Sequence, residues 1–181
     1  CEQSTVIKNI ISSHIQNGEV DFSADNIDER IFTDCDSITV IACGTAMHAG
    51  LIGKYLIEKT CGIPVTVCMA SEFMYSDPII GDKTLVICVS QSGETIDTLE
   101  ALKFARRRGA MSLSIVNVRE SSIARESDNV IYTNAGPEIA VASTKAYTAQ
   151  VTVLYLITAK IAVLRESLNS EGESKFLAEL E

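Results

Sequence analysis

The sequence predicts an α/β fold: a three-layer α/β/α sandwich in which helices cover both faces of a five-stranded parallel sheet, doubly wound in the flavodoxin-like manner. Three observations carry this. Short β-branched apolar runs alternate with longer segments of helical spacing. Gly, Pro and Asn clusters punctuate the alternation, as in Cys61-Gly62-Ile63-Pro64 and Gly81-Asp82. Three loops rich in small polar residues each fall directly after a strand-like run, where open parallel sheets place their ligands.

Taken in order, residues 5–16 read as a helix that ends before Asn17-Gly18, with His14 on a mostly polar stretch and therefore expected in solvent. Residues 37–43 read as a strand and 45–60 as a helix. A strand over 65–69 follows, then a short helix through Ser71-Glu72-Phe73-Met74-Tyr75. The run Leu85-Val86-Ile87-Cys88-Val89 reads as a buried strand. After it, Ile96, Leu99, Leu102 and Phe104 mark a helix over 95–108, closed by Gly109. A strand over 111–116, a helical turn over 121–126 and a strand over 129–132 complete the sheet. A long helix runs from Ser143 to about Leu168, with Ser143 or Thr144 expected as N-cap. The expected domain covers residues 1–165; the charged tail, residues 166–181, is expected to be a linker or a frayed helix.

The bulk numbers exclude several function classes. The chain has 181 residues, enough for one full core, and a net charge of -9. That charge argues against nucleic acid or an anionic membrane as partner, so any bound anion must be held by local NH and OH groups. The six cysteines show no CxxC pair and no metal-ligand spacing, which suggests a reducing compartment rather than a disulfide framework; no metal and no cofactor are expected. The apolar segment 151–164 is too short to span a bilayer and contains Lys160, so it reads as a core or interface helix. The opening residues carry no signal-peptide pattern, and a cytoplasmic location is the expectation.

The most informative loop is Ser90-Gln91-Ser92-Gly93-Glu94-Thr95, a strand-to-helix turn. The first NH groups of a helix lack intrahelical partners and carry partial positive charge, which makes such a turn an anion site. Ser90, Ser92 and Thr95 can each donate to a phosphate oxygen, and Gln91 adds an amide. The alternative is a turn whose serines merely cap the next helix. Cys43-Gly44-Thr45 is a second loop: Gly44 lets backbone approach a ligand, and Thr45 can cap the helix or bind a ligand hydroxyl. The third loop, residues 133–145, ends in Ser143-Thr144-Lys145. Glu138 is its candidate acid, and Lys145 is either an anion contact or a surface lysine. His48, one turn into its helix, is a weaker candidate than a structural role. Glu94 is expected to complement the helix N-terminus and point away from a bound anion. Cys43 reads as a buried small residue at a helix N-terminus.

With all three loops in hand, the chain resembles sugar isomerase (SIS) domains. It is most similar to the first of the two SIS domains in the glutamine–fructose-6-phosphate aminotransferase family. The matching motifs are Ala42-Cys43-Gly44-Thr45, Ala70-Ser71-Glu72-Phe73, Ser90-Gln91-Ser92-Gly93-Glu94-Thr95 with Asp97-Thr98-Leu99, Asn134-Ala135-Gly136-Pro137-Glu138-Ile139, and Val141-Ala142-Ser143-Thr144-Lys145. The resemblance implies that Ser90, Gln91, Ser92 and Thr95 hold the phosphate of fructose 6-phosphate or glucosamine 6-phosphate. It implies that Gly44, Thr45, the backbone of Val141 and the Ser143 hydroxyl hold the sugar. No catalytic residue is expected here, because in that family the acid–base glutamate, a lysine and a ring-opening histidine come from the second SIS domain and the partner subunit. Glutaminase and second SIS domains are then expected in a parent chain, and Cys1, followed by Glu2-Gln3-Ser4, does not resemble the opening of that glutaminase domain. The family often has serine where Ala46 stands, so one hydroxyl donor is lost and weaker binding follows.

Two further readings stand beside this one: a stand-alone SIS module that senses a phosphosugar, and a flavodoxin-like domain with a capped, empty turn. A homodimer is expected, with the apolar face of the helix over 143–164 as its surface.

Overall fold

Every residue of the strand Thr84–Ser90 is buried, and its side chains divide strictly between two cores. Leu85, Ile87 and Val89 join one core, Val86 and Cys88 the other, as the period-2 geometry of a strand covered on both faces requires. The architecture follows from this central strand. The computed structural model describes residues 2–138 and 143–178.

In chain order the elements are α1 (Gln3–His14), β1 (Ile15–Gln16), β2 (Glu19–Val20), a 3-10 turn at Ser23–Asp25 and α2 (Arg30–Thr33). Then come β3 (Ser37–Ala42), α3 (Thr45–Cys61), β4 (Val65–Met69), α4 (Ala70–Phe73), β5 (Thr84–Ser90) and α5 (Ile96–Arg107). The chain continues through β6 (Met111–Val116), α6 (Ser122–Glu126), β7 (Asn129–Tyr132), α7 (Lys145–Leu164) and α8 (Ser170–Leu177). The main sheet has the order β4-β3-β5-β6-β7, all neighbours parallel. The winding direction reverses between β3 and β5, the position at which doubly wound sheets open a crevice at the carboxyl ends of their strands. One face is covered by α1, α3 and α7, the other by α4, α5 and α6.

The five expected strands and the helices between them are all present, with boundaries displaced by a few residues at most. Four expectations need correction. A short antiparallel hairpin, β1–β2, follows α1, turning at Asn17 and Gly18, both at positive φ. An Asn-Gly pair of this kind favours a tight hairpin turn as readily as it stops a helix.

His14 is buried, not solvent-exposed. The hairpin and the 3-10 turn fold over it: Nδ1 lies 2.9 Å from the Ile10 carbonyl, Nε2 lies 3.0 Å from Asp25 Oδ2, and Phe22 packs at 5.4 Å.

The apolar face of α7 is not a free dimer surface, because it is buried against α1 and α3 within the chain. By length and composition α7 could cross a membrane, yet most of it lies inside this body. Its one interior charge, Lys160, reaches the surface to meet Glu29 at 2.8 Å.

The tail forms the helix α8 and packs on the body. Asn169 caps it by accepting from the Gly172 amide at 2.8 Å, Glu173 Oε1 accepts from the Val20 amide at 3.0 Å, and Phe176 stacks on Tyr155 at 4.2 Å. Glu171 and Lys175 are exposed, while Glu173 and Leu177 are buried on the packed side. Between α7 and α8 the chain turns at Glu166 (φ 59°), while Arg165 donates to the carbonyls of Phe32, Thr33 and Cys35.

Cys35, Cys43, Cys61, Cys68 and Cys88 are free thiols. Burial pushes the Cys61 thiol up to about 11 and the fully enclosed Cys88 thiol up to about 12, so neither is a nucleophile near neutral pH.

Candidate functional site

The crevice predicted by the topology is present. A cleft of about 290 Å³ opens where β3 and β5 end, lined by Cys43, Thr45 and Ala46 from one loop and by residues 89–92 and Thr95 from the other. Glu138, Ser143 and Gln150 close its third side.

The turn after β5 is built so that its hydroxyl protons remain available. Ser90 Oγ accepts from the Gly93 amide at 3.1 Å and shares a hydrogen bond of 3.1 Å with Thr95 Oγ1. Ser92 Oγ accepts from the Glu94 amide at 3.2 Å. Each serine oxygen thus satisfies a backbone donor of the turn. The Ser92 proton stays free, and so does one proton of the Ser90–Thr95 pair. No side chain caps α5, although Thr95 occupies its N-cap position. The simple capping alternative is therefore not what these residues form, and the first amides of α5 remain open to an anion.

The far side of the turn is tied down. Gly93 adopts φ +66°, its carbonyl accepts from the Ile123 amide at 2.9 Å, and the Gln91 carbonyl accepts from the Asn117 amide at 3.2 Å. Glu94 points away from the cleft, as expected, but the N-terminus it serves is that of α6: Oε1 accepts from the Ser122 amide at 2.8 Å. Hydrogen bonds from Ser122, through its hydroxyl and its amide, hold the Glu94 carboxyl below the usual range.

Of the residues expected to meet a sugar, Thr45 and Ser143 line the cleft. Gly44 contributes no wall atoms; at φ +57° it turns the chain into α3. Val141 lies outside the described residues.

Glu138 lines the cleft too, but its carboxylate is engaged. It accepts from the Thr144 amide at 3.2 Å, the Ala146 amide at 3.0 Å and Thr144 Oγ1 at 3.4 Å, and so caps α7 from a distance. Thr144 takes the N-cap position of α7, one of the two residues expected there, but makes no side-chain cap hydrogen bond. Lys145 is not a surface lysine: it is buried, is not among the cleft's lining residues, and its Nζ meets Glu2 Oε2 at 2.7 Å. His48 is exposed and does not line the cleft. Among the described lining residues there is no lysine or arginine, so neutral donors and a helix N-terminus provide the positive potential. Gln150 was not foreseen as part of the site.

A family model described as "SIS domain" matches residues 31–160, more than half of the chain. The chain belongs to the SIS domain family. Among curated proteins, this SIS chain is similar to the glutamine–fructose-6-phosphate aminotransferase [isomerizing] of Clostridium tetani. The two are 50% identical over 172 residues, covering 94% of this chain and 28% of that protein. The enzyme of the same name from Leifsonia xyli subsp. xyli is 43% identical over 180 residues, covering 99% and 29%. The SIS chain thus spans less than a third of the length of these relatives. Among solved structures, the C-terminal domain of glucosamine-fructose-6-phosphate aminotransferase from Francisella tularensis superposes with a TM-score of 0.94 at 40% identity. That match covers 99% of this chain and 51% of the other. The sugar isomerase domain of an RpiR transcription factor from Sphaerobacter thermophilus, at 21% identity and a TM-score of 0.69, shares the SIS fold.

Proposed function

We propose that this SIS chain is the phosphosugar-binding half of the isomerase part of a glutamine–fructose-6-phosphate aminotransferase. The parent enzyme makes glucosamine 6-phosphate from fructose 6-phosphate and glutamine. The observation that carries the reading is the turn after β5: three hydroxyls gathered on one cleft, with the α5 N-terminus left uncapped behind them. In this reading Ser90, Gln91, Ser92 and Thr95 bind the phosphate. Ser92 donates its free proton, and the Ser90–Thr95 pair donates the one it does not use internally. Thr45 and Ser143 position the sugar hydroxyls. The one carboxylate among the cleft's described lining residues, Glu138, is committed to α7. As the resemblance to that family implies, proton transfer between C1 and C2 of the sugar falls to groups from a second SIS domain and a partner subunit, and ammonia to a glutaminase domain. The parent is a cytoplasmic homodimer in this reading, and the isolated chain binds without catalysing.

Calorimetric titration with fructose 6-phosphate, glucosamine 6-phosphate and inorganic phosphate tests it. Saturable sugar-phosphate binding by the chain, lost in Ser92→Ala, is the expected result. Undiminished binding by Ser92→Ala would move the site elsewhere and sink the proposal.

A further inference from the structure

Two buried side-chain polar atoms among the described residues have no hydrogen-bond partner: Ser121 Oγ and Gln150 Oε1. Ser121 is pressed against Gly93, outside the cleft wall. Gln150 is in that wall, only 3% exposed, on a helix whose neighbouring buried positions include Ala146, Ala149, Thr152, Val153 and Leu154. An orphaned amide oxygen weakens the empty protein, and native structures rarely keep one without a use. A leucine or methionine would fill the same place on α7 without that cost.

The chemistry of the cleft says what the oxygen is for. Thr45, Ser90, Ser92, Thr95 and Ser143 offer hydroxyls, and the α5 N-terminus offers amides. These are donors for a group that accepts. Of the other side-chain carbonyl and carboxylate acceptors on the wall, Glu138 is held by Thr144 and Ala146, and Gln91 belongs to the turn that faces the anion. A phosphate dianion carries no proton for Gln150 to receive, whereas every hydroxyl of a sugar does. The terminal torsion of a glutamine is soft, so rotation about it can re-aim Oε1.

We infer that Gln150 accepts a hydrogen bond from a hydroxyl on the carbon chain of the ligand, and so recognises its polyol part rather than its anion. The inference rests on the phosphosugar reading above. It assigns to α7 a specificity residue within the cleft, separate from the β5–α5 turn that takes the charge.

The test uses the full chain with Gln150→Leu and, as a second apolar replacement of the same length, Gln150→Met. Each is titrated with fructose 6-phosphate and with inorganic phosphate, and each is melted without ligand. The expected result is about tenfold weaker binding of fructose 6-phosphate, with phosphate affinity unchanged. The ligand-free melting temperature should equal or exceed that of the parent, because the orphaned oxygen is gone. Equal affinity for fructose 6-phosphate in parent and variants overturns the assignment and leaves the phosphate site standing. A parallel loss of both ligands overturns it as well, since the role would then not be hydroxyl recognition. Silence of the parent toward both ligands brings down the phosphosugar reading together with this one, and it is the one result in which the unsubstituted chain itself fails to bind.

Discussion

Gly93 and Ser121 meet so closely that no side chain fits between them: a Cβ built on Gly93 would fall 2.0 Å from Ser121 Oγ and 2.5 Å from Ser121 Cβ. Gly93 also adopts φ +66°, a conformation in which other residues are strained. Conformation and space thus exclude a side chain independently at the centre of the candidate anion turn. Gly93→Ala should destabilise the chain by roughly 2 to 5 kcal/mol, combining the left-handed backbone cost with the overlap. Adding Ser121→Gly should recover the overlap part and leave about 1 to 2 kcal/mol. Urea melts of the two variants check this; equal losses would show that the contact contributes nothing.

Glu138 reaches across its loop to the first amides of α7. Replacing it with alanine leaves those donors without their acceptor and should cost about 1 kcal/mol of stability. Glu138→Gln keeps an acceptor but loses the charge that suits a helix N-terminus, and should cost less. Chemical denaturation of both variants gives the order; a larger loss for glutamine than for alanine would contradict the capping role.

His14 gives the chain a pH dependence of known sign. Burial by itself would lower its pKa, but the Asp25 hydrogen bond, the Ile10 carbonyl, and the charges of Asp25 and Asp21 together hold it above its ordinary value. A raised folded-state pKa contributes stability that is fully present below the unfolded value, about 6.5, and is lost as pH rises through the folded value. The stability difference between the parent and Asp25→Asn should therefore be largest below about pH 6.5 and shrink above it. Thermal melts across pH 5 to 9 measure it, and a difference that grows with pH would be the wrong sign.

Among the described residues the lining of the cleft lacks lysine and arginine, while the chain as a whole carries a net charge of -9. A site made from arginines loses affinity in salt; this one should not, because salt mainly screens the long-range repulsion of an anion by the protein. Fructose 6-phosphate affinity is expected to hold steady or rise between about 20 and 200 mM sodium chloride, a range over which the screening length falls to roughly 7 Å. A steep fall on calorimetric titration would reveal a cationic contact from another part of the molecule.

The parts of this structure that were legible in the sequence are those whose signal is local. The main strands announce themselves because a strand buried on both faces must be apolar throughout, as Leu85 to Val89 are. The loop after β5 is legible because hydroxyls and a glycine between a strand and a helix can form few things other than a cap or an anion turn. What was missed depends on partners distant in the chain. His14 looks exposed among Ser12, Ser13 and Gln16 until the hairpin brings Phe22 and Asp25 onto it. Ser143 and Thr144 look like caps, but the acceptor that reaches the α7 amides is Glu138. Gln150 carries no sequence mark of its own; only the packing of α7 beside α3 brings it to the cleft.

The docking of α8 also bears on how the chain tolerates being cut. The Val20 amide finds its acceptor 153 residues later, on Glu173, and the Tyr155 ring is covered by Phe176. A shortened version stopping at residue 165 would expose that amide and an aromatic face to water at once, turning a finished surface into an adhesive one. A protease nick near Asn169 would be felt first at the opposite end of the polypeptide, in the hairpin over His14, while the cleft itself stayed whole.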